Sequence, residues 1–313
     1  MKILMFGRGV IATAYGWALE RAGHDVEFYV RPGRAAEYGG TTSLDMVDAR
    51  RRPWGRRVVE QWPVRLREEL PPDHDFDLIV LSVSHHRLTE AVSFLASRVG
   101  NATVLVFGNI WSEPLDAIGA LPVDRVAWGF PQTGGGFGDD GVLRATMMGS
   151  VLFGTVGPQS DRERAVRRVF GEAGFRIREE PDFRGWLLTH FVSDAGLHSQ
   201  GLKLGSLADL AGRRGDWREA LLTGRELLPL LEARGVDLRR RALLFRAPIW
   251  LTAAVMAWVT AHFPPARKNF AAHSDPTAEE PRAICRDTLA EARRLGVPVP
   301  RLEAAEPSFA THG

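Results

Sequence analysis

The sequence is poor in two residue types that carry much enzyme chemistry. Cys285 is its only cysteine. One thiol excludes an internal disulfide and a cysteine-based metal cluster, and it fits a reducing compartment such as the cytoplasm. Lysine is nearly as scarce: Lys2, Lys203 and Lys268 stand alone, and the other 37 of the 40 basic residues are arginines. GC-rich coding accounts for the skew most simply, yet any lysine chemistry must use one of those three. A long apolar run is also missing. The longest, Ile249 to Phe263, is interrupted by Thr252, Thr260 and His262. A membrane span needs about 20 residues, so this stretch reads as a buried helix starting after Pro248. No extended basic face is present either. The net charge is +2 because 38 acids are interspersed with the arginines, which argues against a nucleic-acid partner. The densest basic patch, Arg50-Arg51-Arg52 with Arg56 and Arg57, reads as a solvated loop. No signal peptide is expected, because Met1 leads straight into a strand-like segment.

What is present is a chain of 313 residues with 45% hydrophobic side chains, enough for two domains with separate cores. Its first half alternates strand and helix patterns. Strands are expected at Lys2–Phe6, Asp25–Val30, Val58–Leu66, Phe76–Val83, Thr103–Phe107, Arg125–Phe130, Met147–Val156 and Phe175–Glu179. Helices are expected at Val10–Ala22, Leu88–Val99 and Ser160–Ala173. Such alternation points to a mostly parallel, doubly wound α/β sheet. From Phe183 onward the periods are helical, with breaks near Gly212–Gly215, Gly235 and Pro264–Pro265. The expected domains are residues 1–180 and residues 181–313. Gly134-Gly135-Gly136 reads as a loop.

Gly7-Arg8-Gly9-Val10-Ile11-Ala12 fits G-x-G-x-x-G/A between a buried strand and a helix. Gly7 permits the tight turn, Gly9 lets the backbone approach a pyrophosphate, and Ala12 keeps helix and strand close. The helix N-terminus adds amide donors and a positive dipole. After the second strand, where an NAD site places an acid against the ribose 2′-hydroxyl, stands Arg31, with Arg34 beyond it. Arginines there suit a 2′-phosphate, so NADPH is the expected cofactor; the competing reading is two solvated arginines.

The chain resembles the ketopantoate reductase (2-dehydropantoate 2-reductase) family. The resemblance lies in Lys2 to Arg34, in Leu78 to Val92, in Phe107-Gly108-Asn109, and in Glu279 to Pro300. It implies an N-terminal Rossmann-type domain that binds NADPH and an all-helical C-terminal domain. It also implies hydride transfer to a 2-keto acid, with a lysine as general acid. Asn109 matches the family asparagine after a sheet strand, although Ile110 replaces the glycine that usually follows; a plain turn residue is the alternative. Ser84 stands where the family has a cofactor-contacting lysine. His85 and His86 beside it are read as a loop over the cofactor. Glu280 matches the family's substrate-binding glutamate by its spacing to Gly296, but Thr277-Ala278-Glu279-Glu280 also fits a helix capping box. Lys268 stands where the family pattern has a serine and is the one lysine in a segment expected to reach the substrate, so it is a candidate proton donor alongside His190; Ser274 nearby is a substitute for that serine.

The family lysine follows a tryptophan by two residues, with an asparagine four further on. Counting from Trp186 without a gap gives Leu188 and Val192, and neither transfers a proton. A shift of two gives His190 and Asp194. Four residues put both on one helical face, where a carboxylate orients an imidazole and favours its protonated form. His198 continues that face. A metal site built from the three is not expected, since nothing outside the helix supports one. The competing reading has His190 and Asp194 simply facing water. Gln132 and Thr133 are read as bordering the substrate, and Trp250 and Trp258 as core.

These expectations describe an NADPH-dependent reductase acting on a C=O or C=N group of a small substrate, with a secondary metabolite as one candidate. A homodimer through the helical domain is the assembly to test. A catalytically silent NADPH-binding module and a non-redox isomerase or cyclase remain alternatives.

Overall fold

Four apolar residues, Ile3–Phe6, follow Lys2 in the opening strand and are buried on both faces. The computed structural model describes residues 1–310 except 53, 157–159, 242–246, 265, 268–269 and 271–277, and the side chain of residue 240. The chain divides into two compact units, Met1–Phe183 and Arg184–Gly313.

The first unit holds two sheets. The larger has eight strands: β1 (Lys2–Phe6), β2 (Asp25–Tyr29), β5 (Leu66–Arg67), β6 (Leu78–Leu81), β7 (Thr103–Phe107), β8 (Val126–Phe130), β11 (Ser150–Gly154) and β12 (Arg176–Glu180). Their spatial order is β12-β11-β8-β7-β6-β1-β2-β5. Among these pairings only β8 with β11 is antiparallel. Every residue of β6 and β7 is buried, as expected of parallel strands covered on both faces. The helices of this unit are α1 (Val10–Glu20), α2 (Arg34–Tyr38), α3 (Leu88–Ala96), α4 (Pro114–Ala117) and α5 (Asp161–Glu172). α1 comes close to the sheet because Gly16 faces the Phe28 ring, which a Cβ would meet at 2.7 Å. α5 begins with a complete capping box between Ser160 and Glu163. From β1 the chain winds first to β2 and later, on the other side, to β6. This reversal creates a switch point beside the carboxyl end of β1.

The second sheet was not foreseen. It has the order β4-β3-β10-β9, with β3 (Thr41–Asp48), β4 (Arg56–Pro63), β9 (Thr133–Phe137) and β10 (Leu143–Met147). Thr42, Leu44 and Met46 alternate inward along β3, and Val58 and Trp62 do so along β4. Leu44, Met46, Val58 and Trp62 join Trp17 of α1 in one core.

Three sequence expectations are corrected here. Gly134, Gly135 and Gly136 form strand β9 rather than a loop, and a side chain on Gly135 would collide with the Arg144 carbonyl of β10. Met147–Val156 is two strands, because the chain passes from one sheet to the other at Met148–Gly149. A Cβ on Gly149 would lie 2.7 Å from the Ala49 carbonyl. Finally, Arg50 is not a solvated loop residue. Its guanidinium chelates Asp48, and both side chains are nearly buried.

The second unit is helical throughout its described residues. It comprises α6 (Phe183–Leu204, whose first residue belongs to the first unit), α7 (Arg214–Glu226), α8 (Leu228–Ala233), α9 (Leu238–Arg241), α10 (Ile249–His262), α11 (Glu279–Leu295) and α12 (Pro300–Ala305). α6 and α7 approach closely at Gly196, where a Cβ would lie 2.9 Å from the Ala220 carbonyl and the Gly224 amide. α10 buries Thr252, Ala253, Ala257 and Thr260 instead of its tryptophans. Trp250 and Trp258 are each 62% exposed, so neither is core. The four small residues let α10 sit tightly on α7, and the bulky ones are left on the outer face. Among the described residues, no helix is long and apolar enough to cross a membrane.

Candidate active site

The candidate cofactor site of the first unit follows from the turn between β1 and α1. Gly7 has φ +96°, a conformation that disfavours any side chain, and its N–H donates to the Tyr29 carbonyl at 2.9 Å. Gly9 occupies the N-cap position of α1 and supplies no capping side chain. A Cβ on Gly9 would meet no atom within 4 Å, so the space in front of the helix N-terminus is open. Ala12 is packed with 1% exposure. An open backbone cradle at a helix N-terminus, on the carboxyl edge of a parallel sheet, fits a dinucleotide pyrophosphate.

Val10 and Ile11 begin the helix, partly buried against the core. Arg31 follows the end of β2 and is exposed. Ser84 follows β6 and leads into the short helical turn His85–Arg87. Asn109 follows β7, and Ile110 beyond it turns inward with 2% exposure. The fold therefore brings Gly7–Ala12, Arg31, Ser84 and Asn109 to one edge of adjacent strands. Gln132 is less available than its sequence position promised. Its backbone N–H donates to the Tyr15 hydroxyl at 3.0 Å, and its side-chain oxygen accepts from Ser150. Burial pushes the Tyr15 phenol up.

Sequence reading missed the surroundings of Arg8. Its guanidinium lies 4.9 Å from the Tyr38 ring and 5.7 Å from the Phe137 ring, and Nη2 donates to Thr42 Oγ1 at 2.6 Å. Arg34 lies 5.1 Å from the same Tyr38 ring and pairs with Glu37 at 3.0 Å. The i, i+4 spacing of Arg34 and Tyr38 was a usable signal; the contributions of β3 and β9 had none.

The second unit carries its own cluster of polar side chains, on α6. Leu187, Leu188, Phe191, Val192 and Ala195 are all buried, at 1% exposure or less. Trp186, His190, Asp194 and His198, spaced by four, remain partly exposed. The Trp186 and His190 rings stack at 5.0 Å with 7° between their planes. His190 Nε2 lies 3.3 Å from Asp194 Oδ2. A ring stacked on one side and faced by a carboxylate at one nitrogen has little orientational freedom.

Residues 3–158 match the family described as ketopantoate reductase PanE/ApbA. The chain belongs to the ketopantoate reductase family. No curated protein matches it. Among solved structures, D-mandelate dehydrogenase with NADH matches at a TM-score of 0.72 and 14% identity, over 99% of this chain and 97% of that one. The 2-dehydropantoate 2-reductase of Geobacter metallireducens GS-15 matches at 0.69 and 17%, over 99% of both chains. That of Methylococcus capsulatus matches at 0.65 and 18%, over 98% and 95%. At such identities the likeness establishes the fold, which is that of the family's NAD(P)-dependent reductases.

Against that family pattern, the ungapped register places Leu188 and Val192 in the helical core. Lys203 lies inside the last turn of α6. It stands 13 residues from His190, about 20 Å along the helix. Lys2 pairs with Asp75 at 2.6 Å, at the opposite end of β1 from Gly7. Lys268 and Ser274 lie outside the described residues. Glu280 is the second residue of α11, whose N-cap is Ala278 without a side-chain cap. The helix thus starts one residue later than the capping box required, which removes that explanation for Glu280. Among the described residues, no group of three or more His, Cys, Asp or Glu side chains is placed to hold a metal ion.

Proposed function

We propose that this protein is an NADPH-dependent reductase acting on a C=O or C=N bond of a small substrate, with His190 as its proton donor. The observation that carries the reading is the Trp186–His190–Asp194 row on the exposed face of α6, in a helix whose family-lysine register is core. The single cysteine is buried, which agrees with a reducing, cytoplasmic setting.

Each residue has a role its chemistry supports. Gly7 and Gly9 leave the α1 amides open to a pyrophosphate. Arg31 and Arg34 stand where a 2′-phosphate selects NADPH over NADH. Asn109 can donate to a carbonyl oxygen and accept from the alcohol that replaces it. Glu280 holds a polar group of the substrate. A bound nicotinamide supplies the hydride. Asp194 orients the His190 ring through Nε2, so the proton to be given up sits on Nδ1. Transferring it neutralises the oxygen or nitrogen that gains charge as hydride arrives.

The test is NADPH oxidation against a panel of 2-keto acids and cyclic imines, repeated with His190→Ala and Asp194→Asn. Removing a positioned general acid lowers kcat by about 100- to 10,000-fold. The histidine variant should show that loss and the asparagine variant a smaller one, with NADPH affinity unchanged in both. Near-normal turnover in His190→Ala removes the proposed donor. Turnover that needs no cofactor favours an isomerase or cyclase, and NADPH binding without turnover on any substrate favours a silent module.

A further inference from the structure

Arg8 is anomalous among the charged residues of the first unit. It is partly buried, and its one hydrogen bond is to a neutral hydroxyl, Thr42 Oγ1. Its Nε is buried without a partner. Nη1 makes no hydrogen bond among the described residues and is not enclosed. Among the described residues, no carboxylate pairs with this guanidinium. Removing it from water therefore costs stability that the chain alone does not recover, and burial pulls its pKa down. Most other partly buried arginines here are paired, as Arg50 is with Asp48 and Arg67 with Glu27.

The position of Arg8 says what the missing anion is. Its backbone belongs to the Gly7–Gly9 turn, but its side chain leaves the pyrophosphate cradle. It runs toward Tyr38 of α2 and toward Thr42 and Phe137 of the second sheet. Tyr38 belongs to α2, the element that follows β2 in the chain. Arg34 shares the Tyr38 ring, 5.1 Å away. Two guanidiniums within about 5 Å of one ring repel each other, and Glu37 neutralises only Arg34.

We infer that Arg8, held by Tyr38, Thr42 and Phe137, joins Arg31 and Arg34 in reading the 2′-phosphate of the cofactor's adenosine ribose and is a third determinant of NADPH over NADH. This rests on the reductase reading above and names a further residue that sets its cofactor choice. A phosphate monoester meets three needs of Arg8: a doubly charged partner, acceptors for Nε and Nη1, and relief of the repulsion from Arg34. The second sheet then has a functional consequence, because Thr42 and Phe137 come from its strands.

The experiment is calorimetric binding of NADPH, NADH, 2′,5′-ADP and 5′-ADP to wild type, Arg8→Gln and Tyr38→Leu, with melting temperatures to verify folding. A charge-assisted contact of this kind is worth about 10- to 100-fold in affinity. Arg8→Gln should weaken NADPH and 2′,5′-ADP by that factor and leave NADH and 5′-ADP within about twofold. Tyr38→Leu should shift the same pair in the same direction by less. Equal weakening of NADPH and NADH overturns the inference, because Arg8 then serves the pyrophosphate or the turn. No change in either overturns it as well. If wild type binds neither NADPH nor NADH, the reductase reading itself falls, a result distinct from both.

Discussion

The Asp48–Arg50 pair offers a quantitative check on the first unit, because its geometry permits an estimate. Arg50 Nε and Nη2 donate to the two Asp48 oxygens, each at 2.9 Å, and the Arg50 amide adds a third bond at 3.1 Å. Nη1 donates to the Ala173 carbonyl at the end of α5, at 2.6 Å. The guanidinium lies 5.3 Å from the Trp17 ring and 5.4 Å from the Phe175 ring. Side-chain exposures are 11% and 12%. Removing one partner of a buried pair costs about 3–5 kcal/mol. Asn at position 48 keeps the volume and one acceptor, and water reaches the adjoining cavity lined by Arg21, Arg51 and Arg56. About 2–3 kcal/mol is therefore expected for Asp48→Asn. In a unit of this size that lowers the Tm by about 4–12 °C. Burial alone would raise the Asp48 carboxyl, but bonds from Arg50 and the charges of Arg50 and Arg56 reverse this and hold it below its ordinary 3.8. A depressed folded value means that the stabilisation is present above the unfolded value and is lost as pH falls through the folded one. The Tm gap between wild type and variant should thus be full at neutral pH and narrow below about pH 4. Melts followed by circular dichroism across that range measure it. A neutral-pH drop under about 2 °C, or a gap that does not change with acid, would refute the reasoning.

Two further outcomes follow from the same structure. Gly9→Val should fold normally, because a Cβ there meets nothing within 4 Å, yet it should abolish NADPH binding by filling the cradle; retained binding in calorimetry would move the pyrophosphate elsewhere. Ser160→Ala removes the hydroxyl that accepts from the Glu163 amide at 3.2 Å, and a lost cap of this kind costs about 1 kcal/mol, readable as a shift in urea midpoint without a change in slope.

The larger sheet was legible because its strands are dense apolar runs bounded by polar turns, as in Leu78–Leu81 and Thr103–Phe107. The glycine turn was legible because backbone conformation constrains residue type directly. The second sheet was hidden for a physical reason. Its strands are covered on one face only, so their apolar residues alternate with Ser43, Asp45 and Arg57, and the outward pairs look like loop chemistry. β9 was hidden more deeply, since close packing against β10 demanded glycine where strand propensity would place larger residues. Trp250 and Trp258 misled in the opposite way. Large apolar side chains are usually interior, but α10 packs through its small residues and turns the large ones outward.

The face of α6 could not be settled from spacing, because Leu188 and His190 lie about 200° apart on any helix. Burial settles it. Leu188 at 1% exposure and Val192 at 0% share the interior face with Leu187, Phe191 and Ala195, so a proton donor in the ungapped register would be sealed in the core. The polar row from Trp186 to His198 then holds what proton-transfer chemistry this helix can offer. The scarcity of lysine sharpens that conclusion. Lys2 is engaged by Asp75 at the far end of β1, Lys203 is about 20 Å along α6 from His190, and Lys268 lies outside the described residues. A chain that keeps the nucleotide-binding turn intact while burying the lysine register has kept the demand for a proton donor. In the reading proposed above, an imidazole beside a carboxylate 3.3 Å away and stacked on an indole meets it.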